Sequence, residues 1–487
     1  MKKTTYIMAI ALTLCVSLPI GCTKDKGSYD YREILTAEIV LPSNLTVEQF
    51  TNFRVEPQIE PSDPKASFDD FEYLWYLYPE NSQYIYSIDT LSRERILNVP
   101  ATFIVGNYYL EFKVINKETK TYNQTKTLFR VINEDNIGYM LLSSINGDAD
   151  VTFVSEKGKI TKGIIEALNG RKIGKNPVRL NITQATNYFV WILCDDEEAG
   201  GGLVLDGLSL SILRTYEEMF MFRPEKVKPQ IVYWEGTTSI EITVNDGALH
   251  YRWERANYPI EFYDPKRGNY YIDNFLFGWS TSFIFVYDKI GKRFLRYDNP
   301  STLNNVEFVE PDADAAFDPR NVGMDMLEGY MCGIPTAKRD GRAILKDASG
   351  NVHLLSFYAP SNAMTPERLL NVGSHSGINQ AKTFAIKAEG EFAYYGVGNQ
   401  IHVSSFVTGN YLGVVYDQIP SGLTIDCMRV DRKNSRNELW VAASNGSENA
   451  DSGSFFIFDI SSDGTLSKKA EYLNCCGKVV DILFKNR

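Results

Sequence analysis

The chain has 487 residues, with 50 basic and 61 acidic side chains, a formal net charge of −11 and 44% hydrophobic residues. That composition is ordinary for a folded protein of two or three domains and excludes a collagen-like or largely disordered chain. The acidic excess argues against a nucleic-acid ligand, whose phosphates it would repel, and against anionic lipid headgroups.

The first element is a leader. Lys2 and Lys3 precede an apolar run from Tyr6 to Ile20 that ends at Gly21-Cys22. The run is shorter than the roughly 20 residues that span a bilayer, and its basic, N-terminal setting is that of a secretory signal. Residues 1–21 therefore read as a bacterial signal peptide whose removal leaves Cys22 first, with a thiol available for lipid. Pro19 stands where leucine is usual in such a signal, so an ordinary signal and an uncleaved anchor are the alternatives. Two or more acyl chains anchor stably, where one alone does not. Loss of Lys2 and Lys3 with the leader leaves 48 basic against 61 acidic residues. Residues 22–34 are polar and read as the tether.

Residues 35–133 carry strand-like runs: 37–41, 71–78, 108–116 and 127–133. Tyr109, Glu111 and Lys113 alternate with Leu110, Phe112 and Val114, the period of a half-buried strand. Short strands separated by Pro- and Asp-rich turns, with Trp75 in a central run, predict an immunoglobulin-like β-sandwich.

Residues 134–487 hold one short helical pattern, near 161–169, and otherwise paired apolar runs. The runs lie at 138–145 with 149–160, 188–196 with 201–210, and 231–234 with 239–253. They continue at 282–298, 330–334 with 342–358, 383–387 with 392–406, and 427–431 with 438–444 and 453–461. The last is 478–485. Turn sequences such as Asn245-Asp246-Gly247 join the pairs as hairpins. Recurrence every 40–60 residues or so predicts a β-propeller of about seven blades. The final run, 478–485, is expected to pair near 138–145 and remove the open edges. A pair of β-sandwiches is the competing architecture. The fold class is all-β in either case.

Catalytic signals are weak. Four histidines occur, His250, His353, His375 and His402, without metal-ligand spacing. Gly373-Ser374-His375-Ser376-Gly377 lacks the central serine of a nucleophile elbow and reads as a loop between blades, with His375 placed to line a pocket. Asp312, Asp314 and Asp318 have calcium-like spacing, but the segment lacks the glycine and glutamate of an EF loop. No metal and no cofactor is expected. Cys194, Cys332, Cys427, Cys475 and Cys476 are an odd, scattered set, read as buried thiols, with one bridge to Cys475 or Cys476 as the alternative. Aromatic residues crowd one stretch: Trp234, Trp253, Trp279, Tyr270 and Tyr271. Flat rings can stack on sugars or grip peptide side chains, so these five and His375 are the candidate ligand-binding residues. Packing between blades is the competing use of the same rings.

Phe71-x-Tyr73-x-Trp75, Asp89-Thr90-Leu91-Ser92 and the run from Gly106 to Val114 follow a recognisable order. Together with Cys22 and Asp25-Lys26-Gly27-Ser28-Tyr29-Asp30-Tyr31, they resemble the PKD-like surface lipoproteins of Bacteroidetes type over residues 22–133. The resemblance implies a lipid-anchored outer-membrane protein at the cell face. It also implies work beside a SusC/SusD-like TonB-dependent importer, as a non-enzymatic accessory that captures or scaffolds oligosaccharides or oligopeptides. The rival is a propeller-type hydrolase or lyase that cuts the polymer before import, and four scattered histidines weigh against it.

Overall fold

A computed structural model describes residues 34–80, 90–133, 136–185, 187–234, 240–253, 261–265, 268–278, 283–298, 306–308, 315–332, 340–359, 363–387, 391–431 and 436–486. They fall into two compact units. One gathers 34–45, 54–98 and 108–129; the other gathers 46–53, 99–107 and everything from 130 onward.

In the first unit, Phe71–Pro79 lies between Gly106–Asn116 and Thr90–Ser92. Tyr122–Ile132 flanks Gly106–Asn116 on its other side, and Ala37–Val40 pairs with Gln58–Pro61. Leu110, Phe112 and Val114 are buried while their neighbours in sequence are not, as strand alternation requires. Trp75 is fully buried, its ring 4.2 Å from that of Phe112. Its indole Nε1 donates to the Glu94 carbonyl at 2.9 Å, so the one polar atom of the side chain is satisfied inside the core.

Among the described residues, the second unit is a succession of seven antiparallel sheets. Sheet I holds Ile160–Thr161, Asp148–Ser155 and Gly138–Ile145, and takes Lys478–Lys485 from the far end of the chain. Sheet II is Pro177–Thr183, Phe189–Cys194, Gly202–Asp206 and Ile212–Thr215; sheet III is Pro229–Trp234, Ile240–Asn245 and Ala248–Trp253. Sheet IV is Ile272–Gly278, Phe283–Asp288, Arg293–Asp298 and Val306–Phe308; sheet V is Asp325–Cys332, Asp340–Lys346, Val352–Tyr358 and Thr365–Asn371. Sheet VI is Phe384–Ile386, Phe392–Val397, Gln400–Ser405 and Tyr411–Tyr416; sheet VII is Thr424–Val430, Glu438–Ser444, Gly453–Ile460 and Leu466–Cys476. Among the described residues no single sheet closes on itself into a barrel. The expected pairing of the last strand is present, with Tyr139 opposite Phe484 and Leu141 opposite Ile482.

Packing follows from a period of two. Along Phe189–Cys194, Phe189, Trp191 and Leu193 enter a core with sheet III, while Val190, Ile192 and Cys194 enter a core with sheet I. Along Phe283–Asp288, Phe283, Phe285 and Tyr287 face sheet V, and Ile284 and Val286 face sheet III. A sheet held between two others buries both faces, so runs such as these are continuous; sheet III departs from that pattern, its face toward Phe189 and Trp191 carrying the buried pair Arg252–Glu241. Further cores join V with VI and VI with VII. Another joins VII with I through Trp440, Phe455, Cys476, Val479 and Tyr139. The first strands of successive sheets from II to VII touch in turn, and Lys478–Lys485 touches both Thr424–Val430 and Pro177–Thr183.

The one described α-helix, Ile164–Asn169, sits between Gly163 and Gly170, both left-handed, and buries Ile164, Ile165 and Leu168 in the core of sheets I and II. The acidic turn after Cys194 is built on Gly202, whose φ is +108° and where a Cβ would meet the Ile192 carbonyl at 2.0 Å.

Candidate functional site

A cleft of about 520 Å³ lies where sheets VII and I meet. Ile137, Glu156, Phe484 and Asn486 line it from the side of sheet I, and Arg436, Glu438 and Lys469 from sheet VII. Glu438 is fully buried at the start of its strand. Its Oε2 accepts from the Tyr139 hydroxyl at 2.8 Å and the Trp440 indole at 2.9 Å, and its Oε1 from Lys469 Nζ at 2.6 Å. Arg436 pairs with Glu156, and its guanidinium lies 3.7 Å from the centre of the Phe484 ring.

Burial alone would raise the Glu438 carboxyl. The bonds from Lys469, Trp440 and Tyr139 outweigh it and hold the group below its ordinary value. Tyr139 moves the other way, first through burial and then through its bond to Glu438. The Lys469 ammonium is raised, chiefly by its bond to Glu438. At neutral pH the cleft therefore holds two cations and two carboxylates, each already compensated. It can recognise a polar ligand by exchanging those pairings.

A second polar network joins first strands. Arg429 Nε donates to Asp481 Oδ1 at 2.7 Å, and its guanidinium stands 3.8 Å from Glu328. Asp481 Oδ2 also accepts from the Leu180 amide at 2.9 Å. Arg179 donates to the Asn274 carbonyl at 2.9 Å, and Gln230 to Asn274 Oδ1 at 3.0 Å. Side chains thus do between sheets what backbone ladders do within them. The gap beside Glu328, Phe384, Met428 and Arg429 is about 10 Å³, room for about one water.

The residues singled out in the sequence are dispersed. Trp253 and Tyr270 pack against the core of sheets III and IV, and burial pushes the Tyr270 phenol up to about 12. Trp234 is half-buried at the end of its strand, opposite Glu241. The Tyr271 hydroxyl donates to Asp246 at 3.3 Å, beside the Asp246-Gly247 turn. His375 sits in the loop before sheet VI, its Nδ1 2.8 Å from Ser404 Oγ and its ring 5.6 Å from that of Tyr411. His402 joins the same group, with Nδ1 2.9 Å from the Tyr411 hydroxyl. His250 donates from Nδ1 to the Tyr263 carbonyl at 2.9 Å, and His353 pairs with Asp347 at 2.9 Å. Cys22, Trp279, Asp312 and Asp314 lie outside the described residues. Asp318 is paired with Arg320. Cys194, Cys427, Cys475 and Cys476 are free thiols. Among the described residues no three His, Cys, Asp or Glu side chains converge as a metal site, and no helix is long and apolar enough to cross a membrane.

The cleft itself escaped sequence reading. Glu156, Arg436, Glu438, Lys469 and Phe484 come from four separate stretches of chain. The only local sign was a glutamate opening the apolar strand Glu438–Ser444, which is a common way for a strand to begin.

Residues 22–177 match the PKD-like family, so the chain carries an N-terminal PKD-like domain. The match runs past the last strand of the sandwich through the first three strands of sheet I and the helix. No curated protein matches the chain. Among solved structures, the fold is similar to that of a quinonprotein alcohol dehydrogenase-like protein from Bacteroides thetaiotaomicron. The identity is 12%, the TM-score 0.58, and the match covers 91% of this chain and 97% of that one. U3-55K matches at 7% identity and a TM-score of 0.41, over 64% of this chain and 85% of its own. Hsv2 from Kluyveromyces lactis matches at 12% identity and a TM-score of 0.33, over 58% and 74%.

Proposed function

We propose that this chain is a lipid-anchored, non-enzymatic binding protein of the outer membrane, facing outward. It serves as an accessory to a SusC/SusD-like importer of oligosaccharides or oligopeptides. In this reading the seven sheets are the blades of a propeller, clasped by Lys478–Lys485. Three features support the propeller: seven sheets in sequence, a shared core for each neighbouring pair including VII with I, and a last strand that pairs with the first. The PKD-like domain is a spacer, and acyl chains on Cys22 are the anchor.

One observation carries the binding reading. The cleft between sheets VII and I is lined by charged groups that are compensated in pairs, with Glu438 held as the anion. Such a lining suits recognition of a polar chain better than proton transfer.

The test has two arms. Mass spectrometry of the native N-terminus is expected to show acyl mass on Cys22, and Cys22→Ala is expected to release the chain from membranes. Glycan and peptide panels are then run on the protein in detergent, alone and with co-purifying partners. Binding that Lys469→Ala weakens about tenfold or more, the loss of one charge-assisted contact, supports the cleft. No binding in either state, or turnover of the glycan or peptide, overturns the proposal.

A further inference from the structure

Neighbouring residues on a strand point to opposite faces, yet Cys475 and Cys476 are both buried and their sulfurs are 3.7 Å apart. A bulge explains this. Gly453 pairs with Cys476 and Phe455 with Tyr472, so Ser454 alone faces Leu473, Asn474 and Cys475. Asn474 turns the chain with a φ of +51°, a conformation asparagine tolerates better than most residues. Its amide donates to Ser454 Oγ at 3.1 Å, and its carbonyl accepts from Lys162 Nζ at 2.9 Å. Opposite, Gly453 leaves room: a Cβ there would lie 2.2 Å from the Gly477 carbonyl and 3.1 Å from Cys476 Sγ. Bulge, glycine and cation together place two adjacent thiols side by side just before the chain crosses to Lys478–Lys485.

We propose that Cys475 and Cys476 are a modification site, closing to a vicinal disulfide by exchange with a small-molecule disulfide. The Cys475 thiolate attacks one sulfur of that disulfide and expels a thiolate. The Cys476 thiolate then attacks the Cys475 sulfur and expels the second. Two protein thiols are oxidised, one disulfide is reduced to two thiols, and the two protons pass to the leaving groups. Cys475 is the attacking group. The neighbouring Cys476 thiol, and then Lys162, hold it below the ordinary thiol range against burial. Cys476 is pushed far up, by Cys475 first and burial second, and so reacts second. The ring closes only two residues, so it adds little loop-closure stabilisation. It fixes the bulge from which the last strand departs. Its occurrence in the cell rests on the exported reading above; its chemistry does not.

The experiment uses the full chain, fully reduced, and oxidised glutathione as the probe, applied both to native protein and during refolding. Samples are quenched in acid, denatured, alkylated and mapped. The expected result is an intact mass lower by two hydrogens, two fewer alkylated cysteines, and a peptide in which Cys475 and Cys476 are linked. Cys427→Ser keeps that loss; Cys475→Ser and Cys476→Ser each abolish it. Unchanged alkylation in both arms, a link to Cys427 or Cys194, or a lasting glutathione adduct on either residue overturns the proposal. Failure here leaves lipidation and ligand binding untouched, because those are read by acyl mass and binding panels.

Discussion

The sandwich and the seven-sheet unit are made of the same strands put to different use. In the sandwich, Gly106–Asn116 buries every second residue from Leu110 onward and leaves those between half-buried. In the seven-sheet unit, Phe189–Cys194, Phe283–Asp288 and Glu438–Ser444 are buried at every position. The difference lies in the number of neighbours. A strand with one packed face needs one apolar side, whereas a sheet held between two others needs both. The sandwich thus has one core centred on Trp75. The larger unit divides its apolar residues among separate cores, and each depends on the presence of two sheets.

That contrast breaks first at the chain end. Truncation after Gly477 removes Lys478–Lys485, which contributes Val479 and Ile482 to the core of sheets VII and I and Asp481 to Arg429. The expected outcome is loss of cooperative unfolding in the seven-sheet unit while the sandwich keeps its own transition, read by calorimetry. Trp75→Ala is the converse. A fully buried aromatic side chain is lost, costing about 3–5 kcal/mol, and only the sandwich transition should move. If both transitions move together in either variant, the two units are not energetically separate.

Glu438→Ala sharpens the comparison inside the larger unit. It strips Tyr139, Trp440 and Lys469 of a shared acceptor. Breaking a buried pair from one side costs about 3 kcal/mol, with Lys469 partly relieved by its exposure to water. Denaturant melts should show the loss, and Tyr139→Phe in the same background should add little, since the two share one bond.

The smallest effect is a pH slope. Burial lowers His250, His375 and His402 below their ordinary 6.5. The native state therefore binds fewer protons than the unfolded chain just below that value, and stability should fall as pH drops through it. His402 is nearly fully buried, with a partner for Nδ1 and none in the described structure for Nε2. His402→Phe should flatten the slope between pH 7 and 5 by a midpoint shift of about 1–2 °C. A slope identical to wild type would mean that His402 takes up its proton at the same pH in the folded and the unfolded chain, so that burial does not shift it.

Much of the fold was legible as local pattern. The runs at 138–145, 438–444 and 478–485 are strands with those bounds, and Ile164–Asn169 is the short helix. What escaped were mostly the outermost strands: Ile212–Thr215, Thr365–Asn371, Tyr411–Tyr416 and Leu466–Cys476. Each mixes exposed with half-buried or buried positions. A strand only partly covered needs no continuous apolar run, so the pattern is weak. The first strands of sheets II and IV, Pro177–Thr183 and Ile272–Gly278, were missed for another reason. Arg179, Asn181 and Asn274 interrupt their apolar pattern, because these residues bond to other sheets, and Asp273 interrupts it with a bond to the Asn274 amide beside it.

Local chemistry alone thus determined the largely all-strand composition, the hairpin turns and the pairing of first and last runs. Each rests on residues adjacent in sequence, or on a strand whose apolar character demands cover. Only the tertiary structure decided the rest: that Glu156, Arg436, Glu438 and Lys469 share a cleft, and that His375 and His402 meet at Tyr411. It alone showed that a bulge at Asn474 turns two adjacent thiols toward one another. Those arrangements are set by which sheet lies beside which and by how a strand departs from its regular period, and neither is written in any single stretch of chain.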